Sequence, residues 1–310
     1  MSNTSIKAAF RVERLVIIGL GLIGGSLACA LQQARAAGNI SIGSIVGCNR
    51  SIEGLKLAKQ NGVIDEFNTD AAEAVKDADL VILGVPVLSI RPMLELIRDH
   101  LKPGAIISDV GSVKQPIADD MDELLTGTGV QWVPAHPIAG SEQSGVGAAQ
   151  PKLFQNRKVI LTPAAGCEPS AIAQIDAMWQ AAGAETFHMS VMEHDRVLAA
   201  TSHLPHLLAF SLVDTLANQD QGWDVFKYAA GGFRDFSRIA ASDPKMWHDI
   251  FLSNRDAVVE ALDLFSADLA NLRQNLVEDD GESMMRVFTR AKAARDHFAE
   301  QFQKTGSDIE

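Results

Sequence analysis

The residues that invite a chemical reading cluster in four short stretches, with Trp247 just beyond the last of them. His136 opens His136–Pro137–Ile138–Ala139–Gly140–Ser141–Glu142, a segment bounded by proline and glycine just past an apolar run. Oxidising an alcohol requires a base for the hydroxyl proton while hydride leaves the same carbon. An imidazole, with an ordinary pKa of about 6.5, suits that task. The competing reading is a histidine that caps the loop. Ser112, in Asp109–Val110–Gly111–Ser112–Val113–Lys114, is either an N-cap hydroxyl or a hydrogen-bond partner of His136 or of a substrate hydroxyl. Lys114 reads as a surface residue at a helix start rather than a base. In Thr201–Ser202–His203–Leu204–Pro205–His206, two histidines three apart share a helical face, and Pro205 kinks that helix. His203 and His206 are read as substrate contacts, as packing residues or as metal ligands. No acidic third ligand stands at a recognisable spacing, so no metal is expected. Between Gly231 and Arg238, Arg234 and Arg238 stand four apart, and either can clamp a carboxylate through two parallel hydrogen bonds. Asp235 could instead hold Arg238 in an i,i+3 pair. Trp247 is either a pocket residue or a large core side chain.

Such chemistry needs a hydride acceptor, and the stretch Leu15–Leu31 (LVIIGLGLIGGSLACAL) supplies a place for one. An apolar strand runs into a G-x-G-x-x-G and then into a helix, the setting in which this motif means dinucleotide binding. Gly19 permits the tight turn, Gly21 lets backbone approach a pyrophosphate, and Gly24 lets helix and strand pack closely. Leu22 and Ile23 offer backbone N–H groups at the helix N-terminus. The second strand ends at Asn49–Arg50–Ser51, where such folds usually offer a carboxylate to the adenine ribose. A neutral Asn49 followed by Arg50 leans toward NADP⁺ over NAD⁺, because an arginine can bind a 2′-phosphate that a carboxylate would repel. The competing reading has Arg50 solvated and Asn49 on the plain diol. Val85 and Pro86 close the strand Asp79–Val85 and are expected on the same crevice.

The frame is α/β: a Rossmann-type, doubly wound, mostly parallel sheet, followed by an all-helical region. Apolar strands alternate with helices: Asp79–Val85, Ala105–Val110, Trp132–Ala135, Lys158–Thr162 and Glu185–His188. Pro86, Ser112 and His136 then fall at strand carboxyl ends, where ligands of such sheets bind. From Ser190 only helical patterns appear, one starting at Asp243–Pro244. The expected division is a dinucleotide-binding domain over 1–189 and a helical substrate-binding and dimerisation domain over 190–310. The chain has 310 residues, 47% hydrophobic and 21% charged, with a net charge of −12, which argues against a nucleic-acid surface. Cys29, Cys48 and Cys167 lie far apart and read as reduced thiols of a cytoplasmic protein. The N-terminal stretch has no apolar core of a signal peptide, and the longest apolar run, the glycine-rich one, falls short of a membrane span. The last residues, KTGSDIE, read as a frayed tail.

Taken together, GLGLIGGSL, DVGSVK, HPIAGSE, TSHLPH and GGFRDFSRIAASDPKMW resemble the prephenate/arogenate dehydrogenase family of tyrosine biosynthesis. The resemblance implies hydride transfer from the ring hydroxyl carbon to NAD(P)⁺ and loss of the ring carboxylate as CO₂. Prephenate would give 4-hydroxyphenylpyruvate, and arogenate would give tyrosine. It implies that His136 takes the hydroxyl proton, that Ser112 positions it, and that Arg238 binds a substrate carboxylate. His203 and His206 would line the pocket, His206 against the substrate side chain. Asp235 and Trp247 match pocket or subunit-boundary residues, and Gly231 or Trp247 would reach the site of a homodimeric partner. No carboxylate beside His206 awaits an ammonium, which favours prephenate. The expectation from the resemblance is a chain with no helical mutase segment before the first strand and no regulatory domain after the helical region, so that any feedback by tyrosine would act at the active site. The remaining alternatives are a β-hydroxyacid or ketopantoate type of reductase, which relies on a lysine from the helical region, and a non-catalytic NADP sensor.

Overall fold

The computed structural model describes residues 10–140, 145–218 and 225–304. Ser141 and Glu142 of the histidine segment, the first nine residues and the tail beyond Lys304 lie outside them. Six strands form one parallel sheet: β1 (Arg11–Ile18), β2 (Ser41–Cys48), β3 (Glu66–Asn68), β4 (Leu80–Leu83), β5 (Ile106–Asp109) and β6 (Gln131–Trp132), in spatial order β3-β2-β1-β4-β5-β6. That order reverses direction between β1 and β4, and a crevice opens at such a point outside the carboxyl ends of the strands. The central strands β1 and β4 carry continuous apolar runs because both faces of the sheet are covered there. Leu15 and Ile17 of β1 pack into one core and Val16 and Ile18 into the other, as a period of two requires. The crossover helices are α1 (Leu22–Ala36), α2 (Ile52–Gln60), α3 (Ala71–Ala74), α4 (Ile90–Ile97) and α5 (Gln115–Leu125).

The last three strands do not extend this sheet as the sequence pattern suggested. Those strands, β7 (Ala135–Pro137), β8 (Lys158–Leu161) and β9 (Glu185–His188), make a separate three-stranded sheet, with α6 (Pro169–Ala181) between β8 and β9. In it β7 runs antiparallel to β8. The expected strand Trp132–Ala135 is split at Val133–Pro134. Val133 N–H still bonds to Ile107 C=O at 2.9 Å, but Pro134 has no N–H, and its carbonyl accepts from Thr162 N–H at 3.0 Å. A residue that cannot donate to a ladder ends it, and the chain changes sheets there. His136 consequently lies inside β7, opposite Ile160, and not in a loop past a strand end.

From α7 (Val191–Leu198) onward, the described residues are helical: α8 (Leu204–Ala217), α9 (Gly231–Ser237), α10 (Pro244–Ser253), α11 (Arg255–Val277) and α12 (Gly281–Lys304). Pro205 does not simply kink the helix. A π turn at Ala199–His203 joins α7 to α8, placing Pro205 in the first turn of α8. The wider turn removes the carbonyl clash that a proline meets inside an α-helix. The run Val191–Ala217 is long and apolar enough to cross a bilayer by length and composition alone, yet it carries the buried His194, Asp195 and His203. Asp243 caps α10 through the N–H groups of Lys245 and Met246. Trp247 and Ile250 of α10 then pack with Val87 and Val113, beside the carboxyl ends of β4 and β5. The helical region thus closes over the crevice.

Candidate active site

The crevice has a phosphate-sized cradle at one end. Gly19 has φ +98°, and a Cβ there would lie 2.3 Å from Gly84 C=O; one on Gly24 would lie 2.2 Å from Gly19 C=O. Side chains at these two positions are excluded by backbone. A Cβ at Gly21 would meet nothing within 4 Å, so the space above it is open. Leu22 and Ile23, at the start of α1, have N–H groups with no partner among the described residues. A pyrophosphate fits that arrangement of open space, free donors and helix dipole. Bonds from Gly19 N–H to Cys48 C=O and from Gly84 N–H to Ile18 C=O tie the ends of β1, β2 and β4 together. Asn49 and the half-buried Val85 and exposed Pro86 therefore flank the same turn. The Asn49 side chain accepts from Arg50 N–H at 2.8 Å, and Ser51 caps α2 by accepting from Gly54 N–H at 3.3 Å.

At the other end stands a buried polar network, most of which the sequence did not reveal. His136 Nδ1 lies 2.9 Å from His194 Nε2, and His194 Nδ1 lies 2.7 Å from Asp195 Oδ1. Asp195 also accepts the N–H groups of Lys114 and Gln115, each at 2.8 Å, and so caps α5 from across the structure. Ser112 is therefore not the N-cap of that helix, and its hydroxyl makes no hydrogen bond with another described residue. Burial foremost, then the neighbouring charges of His194, Lys114 and His203, hold His136 well below the usual imidazole range. Burial lowers His194 as well, while three donors hold Asp195 below the usual carboxylate range against the opposing effect of its own burial. At neutral pH His136 is a neutral imidazole.

Lys114 corrects the surface reading outright: it is fully buried. Its ammonium donates to Asp109 Oδ2 and, at 2.7 Å, to Ala135 C=O. Asp109 accepts Ala135 N–H at 3.2 Å through its other oxygen and Gly111 N–H at 2.7 Å. Both backbone groups of Ala135, the residue before His136, are thus held by one ion pair. Burial lowers the Lys114 pKa against the pull of Asp109. The signal for this pair was present as Asp109 and Lys114 five apart around a strand end. His194–Asp195, by contrast, stood in an ordinary-looking helix start.

The helical wall completes the site. Asn254 donates to Asp195 C=O at 2.9 Å and faces His203 Nδ1 at 3.1 Å. Its amide N donates to both, so His203 carries its hydrogen on Nε2. That Nε2 and Trp247 Nε1 are both buried and without a partner among the described residues. The two rings meet edge to face with centroids 6.0 Å apart, and a ligand acceptor reaching either donor would recover a lost bond. His206 stacks on Trp247 at 3.7 Å between centroids and donates Nδ1–H to Ser202 C=O at 2.8 Å. Trp247 is committed to this wall of its own chain. Burial and the nearby charge of Arg238 lower the His206 pKa, which places the exposed Arg238 at the rim beside it. Asp235 pairs loosely with Arg234 at 3.5 Å on the exposed face of α9, which Gly231 opens.

These buried neutral histidines make stability acid-sensitive. Their folded pKa values lie below the unfolded value near 6.5, with His203 lowered to about 4. The unfolded chain therefore binds the protons first. Stability is complete above pH 6.5 and falls as pH drops from 6.5 toward 4, His203 alone contributing ~3 kcal/mol. Thermal melts at pH 7.5 and pH 5.0 should differ by several degrees, with the lower midpoint in acid. Equal midpoints would mean that these histidines are already charged or open to water.

Comparison with known proteins gives a consistent result. The family model described as prephenate dehydrogenase, nucleotide-binding domain, matches residues 33–188, and that of the prephenate dehydrogenase dimerization domain matches 190–290. The chain is 37% identical to the prephenate dehydrogenase of Bacillus subtilis, covering 92% of this chain and 76% of that protein. It is also 37% identical to the cyclohexadienyl dehydrogenase of Zymomonas mobilis, covering 91% and 95%. The crystal structure of Aquifex aeolicus prephenate dehydrogenase with hydroxyphenyl propionate and NAD⁺ superposes with a TM-score of 0.85 at 35% identity, covering 93% of this chain and 98% of that one. Synechocystis arogenate dehydrogenase superposes at 0.77 with 28% identity, covering 92% and 99%.

Proposed function

The chain belongs to the prephenate dehydrogenase family, and on that premise we propose that it oxidatively decarboxylates prephenate to 4-hydroxyphenylpyruvate and CO₂, with His136 as the base. The observation that carries this assignment is a neutral, buried imidazole held by a hydrogen-bonded relay, across the crevice from a cradle shaped for the pyrophosphate of a nicotinamide nucleotide. The nucleotide, when bound, accepts a hydride from the ring carbon. His136 takes the hydroxyl proton, and the Ser112 hydroxyl, which bonds to no other described residue, orients the same oxygen. Once the ring carbon is a ketone, loss of CO₂ yields an aromatic ring, which makes the reaction irreversible. The orphan donors of His203 and Trp247 face acceptor groups of the substrate, and Arg238 at the rim binds a carboxylate. The exposed Asp235 and Gly231 belong to the same rim.

For the cofactor we favour NADP⁺. Asn49 offers no carboxylate to repel a 2′-phosphate, and the Arg50 guanidinium makes no ion pair among the described residues. The site fits NAD⁺ equally in its pyrophosphate cradle. A specific observation keeps arogenate as a second substrate: the Nδ1–H of His206 is spent on Ser202 C=O, so its Nε2 lone pair can accept from an ammonium. Initial rates with prephenate and arogenate, each with NAD⁺ and NADP⁺, test the whole reading. Turnover in none of the four, with nucleotide still binding, would overturn it.

Arg238→Ala should raise the substrate KM by about 10–100-fold with little change in kcat, since a hydrogen bond to a charged group is worth ~1.5–3 kcal/mol. An unchanged KM would remove Arg238 from the site. We also propose a homodimer through the helical region. Leu212, Leu264, Leu269, Leu276, Met285 and Phe288 of α8, α11 and α12 are large apolar side chains left exposed on a single chain. Sedimentation should give twice the chain mass of 33.3 kDa; a monomer at micromolar concentration would refute it. Three unpaired thiols suit a reducing cytoplasm.

A further inference from the structure

We propose that His194 and Asp195 are positioning residues that hold His136 as its Nδ1–H tautomer, so that the Nε2 lone pair is the one presented to the substrate hydroxyl. This rests on the reading of His136 as the base. The direction of every bond in the chain follows from what each atom can do. Asp195 accepts backbone N–H groups on both carboxylate oxygens, from Lys114 on Oδ1 and from Gln115 on Oδ2. Backbone N–H groups only donate, so the carboxylate is fixed in orientation and acts as an acceptor throughout. His194 Nδ1, 2.7 Å from Oδ1, must therefore carry a hydrogen. A neutral imidazole carries one, which leaves a lone pair on His194 Nε2. His136 Nδ1 lies 2.9 Å from that lone pair and has to donate to it. The opposite tautomer of His136 would set two lone pairs against each other in a place closed to water: His194 is fully buried and His136 is 8% exposed.

The same bonds explain how the geometry survives between two regions of the molecule. His194 and Asp195 sit on α7 of the helical region, whereas His136 sits on β7 and the donors to Asp195 open α5. Asn254, at the start of α11, bonds to Asp195 C=O and to His203, so the wall that faces the substrate is referenced to the same anchor. When the hydroxyl proton arrives on His136 Nε2, the ring becomes an imidazolium whose Nδ1–H already points at His194. Its new charge is opposed by the Asp195 carboxylate at the end of the chain. The electron pair of the C–H bond leaves as hydride to the nicotinamide, and no group has to rotate.

The test uses full-length protein labelled with ¹⁵N-histidine. Nitrogen–proton correlation spectra are assigned by difference against His136→Ala. At pH 7.5 the wild type should show His136 with its proton on Nδ1 and a pyridine-type Nε2. His194→Leu should lose that single-tautomer signature and lower kcat by about 10–100-fold, with substrate KM and nucleotide Kd within about threefold. His194→Gln, whose amide can donate to Asp195 and accept from His136, should recover part of the kcat and restore the tautomer. A wild-type His136 protonated on Nε2 would overturn the proposal, as would an unchanged kcat in His194→Leu. Should the leucine variant fail to fold, the wild-type spectrum and the glutamine variant decide the matter. Retained turnover in His136→Ala would instead defeat the base assignment, and the wild-type tautomer would still report on the relay by itself.

Discussion

Replacing His136 with alanine is expected to lower kcat by about 10²–10⁴-fold, the usual contribution of a positioned acid–base group, while nucleotide binding stays within about twofold. The separation of effects follows from the architecture. The nucleotide cradle is built from the ends of β1, β2 and β4, where Gly19, Gly24 and Gly84 lock backbone to backbone. His136 stands on β7, in the other sheet, and contributes nothing to that cradle. Removing it leaves His194 Nε2 without a partner, so a modest loss of stability accompanies the loss of turnover. The measurement is a pair: initial rates with prephenate at saturating nucleotide, and nucleotide affinity by quenching of tryptophan fluorescence. Turnover within about fivefold of wild type would remove His136 as the base. Loss of nucleotide binding in step with turnover would show that the variant had disturbed the crevice as a whole.

The second large effect concerns a residue with no expected contact to substrate. Lys114→Met should destabilise the fold by about 3–5 kcal/mol, because deleting one member of a buried pair strands the other charge. Asp109 would be left in the core with only backbone N–H partners, and Ala135 C=O would lose its donor. Urea unfolding of Lys114→Met against wild type measures this directly. Adding Asp109→Asn to Lys114→Met should return part of the stability, since a neutral amide still accepts one of those N–H groups without a stranded charge. A loss below about 1 kcal/mol would mean that water reaches the pair and that Lys114 is not the clamp its hydrogen bonds describe. Turnover should fall beyond what stability accounts for, because both backbone groups of the residue preceding His136 are released.

Local chemistry explains what could be read from the chain directly. The G-x-G-x-x-G between an apolar strand and a helix is a backbone requirement. Only glycine tolerates the φ of Gly19 or the approach of Gly24 to Gly19, so the residue type itself records the geometry. The continuous apolar runs of β1 and β4 record burial on both faces, and with alternating helices they carry the doubly wound sheet. Asp243–Pro244 records a helix start, and Asp243 caps α10. His136, His203, His206, Arg238 and Trp247 could be listed because their side chains have few structural uses in such segments.

What the chain could not disclose depends on long-range pairing. Whether His136 lies in a loop or a strand turned on Pro134, whose missing N–H acts only once β5 and β8 are in place. Lys114 reads as solvated until Asp109 and Ala135 are brought around it. His194 and Asp195 stand 58 and 80 or more residues from the groups they serve, His136 and the start of α5. No period, cap or spacing encodes such a partnership. The sequence by itself determined the glycine-shaped cradle, the layered frame and a first list of candidate side chains, since the first two follow from backbone sterics and local periodicity and the third from residue type. Only the tertiary structure decided which imidazole is buried and neutral, and which nitrogen of each ring is left to act. Those properties depend on desolvation and on donors and acceptors supplied from distant segments.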